Sequence, residues 1–254
     1  MAIVLNEYGW ARDMIASRDL GKKPYETLCR VARYYSDIYH YSKKETRKML
    51  DKFLIECEPT ASLPKWSDTM DYAVANALKR KAVDIDFVPV TKAELDIIDG
   101  LDGKPLRRLA FTLLCLAKYW NVVNPDSGYW VNTKDSEIMK MANISTSIKR
   151  QSELYHILYE KGLIRFSKKV DNTNVQVCFV KAGAPALKVT DFRNLGWQYL
   201  KYLGEPYFVC ENCGITVKYN DPKGGRQQKY CKDCAVKIKT QQNVNAVMRH
   251  RRYG

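Results

Sequence analysis

The chain has 254 residues and a formal net charge of +14, with 42 lysine and arginine residues against 28 acidic ones. Hydrophobic residues make up 46% of it, a composition typical of globular proteins that excludes a disordered chain. No apolar run approaches the roughly 20 residues that span a bilayer, and the first residues lack a secretory pattern, so we expect a cytoplasmic protein without a membrane partner. The basic excess indicates a polyanionic partner, because Lys and Arg near phosphates release condensed counterions. A surface that is basic only for solubility is the alternative.

The first part of the chain, residues 1–100, predicts a helical domain. Apolar residues recur at helical spacing behind Pro24, whose ring suits the first turn of a helix. Ser42 with Glu45, and Thr91 with Glu94, have the spacing of capping boxes, in which each side chain accepts a hydrogen bond from a backbone amide of the other residue. We therefore expect helices to begin at these points.

Three further helices are predicted in the middle of the chain. Apolar residues over 106–120 recur at the spacing of a long helix that is buried along one face. Thr133 is expected to cap a short second helix, and Asn143 to take the left-handed conformation of a tight turn. Ser145 or Thr146 is then expected to cap the third helix.

A β-hairpin is expected after these helices, built from the stretches 163–166 and 175–180 around a polar tip. This order of elements, with segments 143–150 and 158–165, resembles the winged helix-turn-helix family, to which we assign residues 101–182. The resemblance implies DNA binding through a recognition helix and a wing. In its architecture the chain is also similar to replication-initiation and replisome-organiser proteins of phages and mobile elements. That similarity implies a role in DNA replication initiation or in transcription regulation.

Residues 183–205 are interpreted as a linker with one helix, which is either broken or closely packed at Gly196. A zinc ribbon with a basic C-terminal helix, from Ala235 to Arg252, is assigned to residues 206–254. The overall fold class predicted from these elements is mainly α with small β elements.

Four of the eight cysteines form two Cys-x2-Cys pairs near the C-terminus, separated by 17 residues. A two-residue gap lets both thiolates of a pair bind one ion, and zinc prefers a tetrahedron of such soft donors. With four protein ligands, the zinc would be structural. A redox-active pair is the alternative, but it requires a helix start in a βαβ context that the flanking sequence lacks. The predicted zinc ligands are Cys210, Cys213, Cys231 and Cys234.

The other four cysteines stand alone among apolar neighbours, a pattern typical of small buried hydrophobic residues in a reducing compartment. We expect all four to be buried. They are Cys29, Cys57, Cys115 and Cys178.

Candidate DNA contacts lie on the third helix, on the wing tip and on the C-terminal helix. If Ile148, Tyr155 and Leu158 face the core, the opposite face of the third helix presents hydroxyl and basic groups that suit phosphates or guanine edges. Glu153 on that face argues against such contact, and a solvated or protein-binding face is the alternative. The predicted contacts are Thr146, Ser147, Lys149, Arg150, Lys168, Lys169, Lys237, Lys239, Arg249, Arg251 and Arg252.

The sequence therefore predicts a non-enzymatic DNA-binding protein whose partner is double-stranded DNA, with helicase-loading or transcription machinery as a further partner. Phosphate loops, nucleophile motifs and paired carboxylates with a catalytic spacing are not found in the sequence. A second hypothesis is a zinc-containing inhibitor or adaptor that binds a host nucleoprotein complex, such as RNA polymerase or a nucleic-acid-guided nuclease. A third is an unrecognised nuclease.

Overall fold

A computed structural model describes residues 3–168, 174–219 and 228–253 of the chain, with side chains as far as Arg249. Within these ranges the protein is mainly α-helical, with ten α-helices and a few small antiparallel sheets, which confirms the predicted fold class. None of the described helices is both long and apolar enough to cross a membrane. The chain divides into two compact units, Met1–Phe87 and Val88–Gly254.

The first unit consists of four helices around one apolar core. Pro24 occupies the first turn of its helix, and the Ser42 capping box is present, with the Ser42 amide donating to Glu45 over 2.8 Å. Both predictions are confirmed. Leu28, Phe53 and Met70 are fully buried where the helices meet. The helices are α1 (Glu7–Ser17), α2 (Pro24–Tyr39), α3 (Lys43–Cys57) and α4 (Leu63–Ala77).

The second unit is built around one long buried helix, α6 (Lys104–Val123), whose residues 109–117 are all inaccessible to solvent. Four other helices and three strands of the unit pack against α6, which explains why apolar residues cover more than one of its faces. The elements are β1 (Val88–Thr91), α5 (Lys92–Asp99), α6 (Lys104–Val123), β2 (Trp130–Val131), α7 (Asp135–Met141), α8 (Ile148–Glu160), β3 (Ile164–Phe166), β4 (Val175–Val177), β5 (Pro185–Val189), α9 (Leu195–Tyr202), β6 (Tyr207–Val209), β7 (Thr216–Lys218) and α10 (Lys232–Tyr253).

The helix starts in the middle of this unit differ from the predicted ones. Thr133 does not cap α7, because its hydroxyl accepts a hydrogen bond from the indole Nε1 of Trp120 (3.1 Å) and the helix begins two residues later. Helix α8 begins after Ser147, whose Oγ accepts from the amide of Arg150 (3.3 Å), so Ser145 and Thr146 are not its cap. The predicted left-handed turn at Asn143 is confirmed (φ 56°).

The predicted hairpin is confirmed as two strands of a three-stranded antiparallel sheet in the order β2-β4-β3. Ile164 lies opposite Val177 and Phe166 opposite Val175, so β4 forms the centre of the sheet. Strand β4, the second strand of the hairpin, ends at Val177, whereas the sequence predicted an end at residue 180. Most of the predicted polar tip, residues 169–173, lies outside the described residues.

A two-stranded sheet between β1 and β5 was not predicted. Val88 pairs with Val189 and Val90 with Leu187, so part of the expected linker is a strand. The Thr91 capping box is confirmed, and its fully buried Glu94 also accepts a hydrogen bond from Lys118 of α6 (2.7 Å). These contacts place β1 and α5 in the second unit, whereas the sequence grouped them with the N-terminal helices.

Two of the four isolated cysteines are buried as expected, namely Cys29 and Cys115. Cys57 is half-buried at the end of α3. The prediction is wrong for Cys178, which is exposed just beyond β4: burial alternates along this stretch, so Val177 and Phe179 are buried and the Cys178 side chain between them faces solvent.

Candidate metal centre and basic helix

The first cysteine pair lies in a tight turn between two paired strands. Phe208 of β6 pairs with Val217 of β7. The turn that joins these strands is closed by the Cys210 amide donating to the Ile215 carbonyl and the Gly214 amide donating to the Cys210 carbonyl, each over 2.9 Å. Gly214 has a φ of 73°, a left-handed conformation that disfavours a side chain. The turn thereby directs both thiols of the pair to one side.

The second pair lies at the beginning of α10. Cys231 immediately precedes the helix and Cys234 lies in its first turn, where the Ala235 amide donates to the Cys231 carbonyl (2.9 Å). We call β6, β7, the turn between them and this first turn of α10 the cysteine ribbon. Its second pair fixes the N-terminus of α10 to the first pair.

The four sulfur atoms come together as the spacing predicted. All lie within 4.8 Å of one another, and the Sγ atoms of Cys213 and Cys231 are 3.8 Å apart. A tetrahedral site with metal–sulfur bonds of about 2.3 Å has sulfur atoms about 3.8 Å apart, whereas a disulfide bond measures about 2.05 Å. The arrangement therefore fits a metal ion bound by four thiolates.

Hydrogen-bond donors surround the sulfur atoms. The Cys231 amide donates to Cys210 Sγ (3.3 Å), and Asn212 Nδ2 donates to Cys234 Sγ (3.2 Å). Burial disfavours ionisation of Cys210, but the backbone amides of Cys231, Cys213 and Asn212 outweigh this effect and lower its pKa to about 6. Burial raises the pKa of the Cys213 and Cys231 thiols. The backbone amides and the Asn212 side chain, which donate to the sulfur atoms, stabilise the thiolate form that binds a metal.

The cysteine ribbon is anchored by the segment that precedes α9. Arg193, which forms an ion pair with Asp191, donates to the carbonyl of Cys213 inside the first turn. Asn194 Nδ2 donates to the carbonyl of Thr216 in β7 (3.0 Å). These two contacts hold the strands and the ligand turn from outside the ribbon.

A pair of side-chain amides continues this anchor into the helical core. Asn143 Nδ2 donates to Asn194 Oδ1 over 2.9 Å, and we call this pair the amide bridge. The Asn143 carbonyl accepts from Arg108 of α6 (2.8 Å), and its Oδ1 accepts from the backbone amide of Trp197 in α9 (3.2 Å). Through the amide bridge, the turn between α7 and α8 contacts Asn194, in the segment before α9 that supports the cysteine ribbon.

Gly196 lies where α9 approaches this turn most closely. A Cβ atom at this position would overlap the backbone carbonyl of Ala142, which cannot move without displacing the end of α7. This close approach confirms that α9 is packed tightly at Gly196 and is not broken there.

The four predicted contact residues before and within the first turn of α8 are exposed but differ in their surroundings. Ser147 uses its hydroxyl as the helix cap, and Arg150 forms a 2.8 Å ion pair with Glu153. The expectation that Ile148 faces the core is wrong: its side chain is 81% exposed, and Leu154 is buried beside Tyr155 and Leu158 instead. Helix α8 therefore presents both charged and apolar groups to solvent.

The other predicted contacts are spread over the wing and α10. Lys168, Lys237, Lys239 and Arg249 are exposed. Lys169 lies outside the described residues, and Arg251 and Arg252 belong to the helical backbone of α10 at positions whose side chains are not described. The sequence contains no acidic residue after Asp233, so every charged side chain of α10 beyond its first turn is basic.

The net positive charge of the chain belongs almost entirely to the second unit. Of the 42 basic and 28 acidic residues, 27 and 15 follow Phe87, which gives a net charge of +12 to that unit and +2 to the first. A polyanion would thus be attracted to the unit that contains the cysteine ribbon.

The anchoring residues Asn143, Arg193 and Asn194 were not found as a site from the sequence. Their contacts join positions 20 to 51 residues apart and leave no local pattern. Asn212 did leave a signal, because it lies between two ligands, where a side-chain amide readily reaches a sulfur atom.

No protein-family model, no curated protein and no solved structure matches this chain.

Proposed function

We propose that the protein is a non-enzymatic DNA-binding protein in which a zinc-bound ribbon fixes a basic helix for contact with double-stranded DNA. The observation that carries the proposal is the position of α10. Its first turn contains Cys234 and follows Cys231 directly, and all its residues after Asp233 are neutral or basic. A helix held at one end by a metal site and free of acidic residues is suited to lie against phosphates.

Zinc is the ion we propose for the four cysteines, which would all be ligands. Four thiolates at tetrahedral spacing leave no open coordination position, and this favours a structural role. Bound zinc would fold the ribbon, since the two pairs belong to different elements and little apolar surface surrounds them.

The arrangement of α6, α7, α8 and the β2-β4-β3 sheet supports the proposal that residues 101–182 form a winged helix-turn-helix. In this family the helix after the tight turn enters a DNA groove and the hairpin contacts the backbone. Exposed Thr146, Lys149 and Lys168 occupy the corresponding positions. The similarity of this architecture to phage and mobile-element replication proteins leads us to propose replication initiation or transcription regulation as the process served.

A protein partner for α8 is a second candidate function, because Ile148 is 81% exposed at the start of this helix and Arg150 is paired with Glu153. An exposed apolar side chain beside a neutralised cation suits a protein surface better than a phosphate. The corresponding role is an inhibitor or adaptor that docks on a host nucleoprotein complex.

The proposal is tested with purified protein and a 25-base-pair duplex of random sequence. We expect one zinc per chain by elemental analysis and saturable binding in fluorescence anisotropy that weakens steeply with salt. Removing zinc with a chelator should abolish most of this binding, and zinc should restore it. A protein without stoichiometric zinc that ignores the duplex at low ionic strength would contradict the proposal. Cleavage of the duplex in the presence of Mg²⁺ would show instead that the protein is a nuclease.

A second experiment distinguishes the adaptor function from the DNA-binding function. The same protein is used to capture partners from a host lysate treated with nuclease. Protein partners retained there, together with failure to bind the duplex, would favour the adaptor. Ile148→Ser should then release the partner.

A further inference from the structure

The exposed part of α10 carries more than positive charge. Residues 241–249 are all exposed, and they include four side-chain amides, of Gln241, Gln242, Asn243 and Asn245. Lysines alone would serve for contacts to phosphates, which do not depend on sequence. Amide side chains have another use, because Asn and Gln form paired hydrogen bonds with adenine in the major groove.

Three of these amides share one face of the helix with an arginine. At 3.6 residues per turn, Gln241, Gln242, Asn245 and Arg249 fall within a sector of about 100°. Gln241 Nε2 donates to Asn245 Oδ1 over 3.0 Å, which confirms that these two neighbours lie side by side. We call these four residues the reading face. Asn243 lies about 160° from Gln241, on the opposite side of the helix.

We propose that the reading face enters the major groove of double-stranded DNA and recognises base sequence. This inference rests on the proposed DNA-binding function and deepens it, since it assigns sequence recognition to α10. Gln241 and Asn245 would each pair with an adenine, and Arg249 with a guanine, whose edges match these donors and acceptors.

The dimensions of the helix agree with this placement. An α-helix with its side chains is about 10–12 Å across and the major groove is about 12 Å wide. Successive residues of the series Gln241, Asn245 and Arg249 are separated by about 6 Å along the axis, close to two base steps of about 3.4 Å. The recognised site should therefore contain two adenines and a guanine at intervals of about two base pairs.

Other occupants of this face fit less well. The exposed apolar side chains of α10 lie outside the reading face and suggest a second copy of the chain; they are Val236, Val244, Val247 and Met248. However, each copy carries Lys237, Lys239 and Arg249 on its helix, with no acidic residue after Asp233, so two such helices repel each other. Double-stranded RNA is excluded as the occupant by its narrow, deep major groove.

The test is selection from a library of duplexes with 20 random base pairs, performed with the full chain loaded with zinc. Wild-type protein should enrich a motif with the spaced adenines and guanine. The double variant Gln241→Ala/Asn245→Ala should lose enrichment at the two adenine positions, with discrimination reduced roughly 5- to 150-fold per pair. Asn243→Ala is the matched control, because it removes an amide from the opposite face, and its motif should equal that of the wild type.

The outcomes distinguish the two proposals. Binding of the random duplex by the double variant should match the wild type, because phosphate contacts remain, and circular dichroism should show the same helix content. An unchanged motif in the double variant, or a wild type that binds without any sequence preference, overturns the reading face and leaves the DNA-binding function intact. A wild type that binds no duplex overturns both.

Discussion

At the scale of single residues, the most unusual group in the first unit is the buried carboxylate of Glu7, which is only 3% exposed. It accepts hydrogen bonds from Arg33, from Arg80 and from the Val83 amide, each over 3.0 Å. Burial raises its pKa, but Arg80 and Arg33 outweigh that effect and hold the pKa below the ordinary value of 4.5. A buried charge of this kind is tolerated only with its partners, so Glu7 joins α1, α2 and the segment after α4.

Replacing Glu7 with Gln should destabilise the first unit by roughly 3–5 kcal/mol, because two or more arginines would then lack a counter-charge. Since folding lowers the pKa, the stabilisation by Glu7 is present above pH 4.5 and is lost as the pH falls through the lower folded-state pKa. The acid sensitivity of the variant should therefore be smaller. Amide exchange of α2, measured at pH 7 and below pH 4.5, provides both comparisons.

Asp13→Asn is the control for this experiment, because the Asp13 side chain is 77% exposed and its removal should change stability by less than about 0.5 kcal/mol. Equal effects of the two substitutions would mean that the buried cluster does not stabilise the unit.

Gly196 supports a second prediction at this scale. Gly196→Ala should lower the stability of the second unit by about 1–3 kcal/mol, since the added methyl group overlaps the Ala142 carbonyl. Gly100→Ala is matched to it, because that position has a right-handed φ of −73° and its nearest neighbour is 3.5 Å away. Thermal unfolding of the two variants should show a loss for the first and little change for the second. Similar melting temperatures would show that α9 can shift away from α7.

At the scale of elements, the amide bridge joins the tight turn after α7 to the cysteine ribbon. Asn194→Gly removes both hydrogen bonds of this side chain while allowing the same left-handed backbone (φ 54°). We expect docking of the ribbon to weaken by about 1–3 kcal/mol, because the Thr216 carbonyl loses its side-chain donor. Faster amide exchange in β7, with zinc content unchanged, would be the result. Amide exchange in β7 that remains as slow as in the wild type would show that Arg193 and α9 are sufficient to hold the ribbon in place.

The elements that the sequence predicted correctly are those specified by local patterns. Both capping boxes, the left-handed Asn143 and each Cys-x2-Cys pair depend on residues a few positions apart, and each is present as expected. Two of the failures depend on distant partners. Strand β5 alternates poorly and exists because β1 pairs with it, and Thr133 is unavailable as a cap because Trp120 occupies its hydroxyl.

The candidate site also has a part that local sequence patterns predict and a part that depends on distant contacts. The metal ligands follow from spacing alone, whereas the anchoring role of Asn194 depends on a contact made 51 residues away in the sequence. The amides of α10 were visible in the sequence. An interpretation based on charge alone does not identify them, because Gln and Asn do not add to the net charge.

At the scale of the whole molecule, the second unit has a net charge of +12 and the first unit +2, so the DNA binding that we propose is expected in the second unit. Reversing Lys237, Lys239 and Arg249 to glutamate should weaken binding to duplexes of random sequence, on which Arg249 has no fixed guanine and would contact phosphates as the two lysines do. Because each phosphate contact contributes about 0.9 to the slope of log affinity against log salt, the slope should fall by up to about 3. Anisotropy titrations at several salt concentrations measure it.

The matched control changes the net charge of the protein by the same amount in the other unit. Lys43, Lys44 and Lys48 are exposed on α3, and their reversal to glutamate alters the charge of the whole molecule equally. If binding reflects only the overall charge, the two triple variants will have similar salt slopes. If α10 contacts phosphates directly, only the α10 variant will have a smaller salt slope. Counterions are released where a cation meets a phosphate, and exposed charges that make no such contact are screened within about 10 Å at 0.1 M salt.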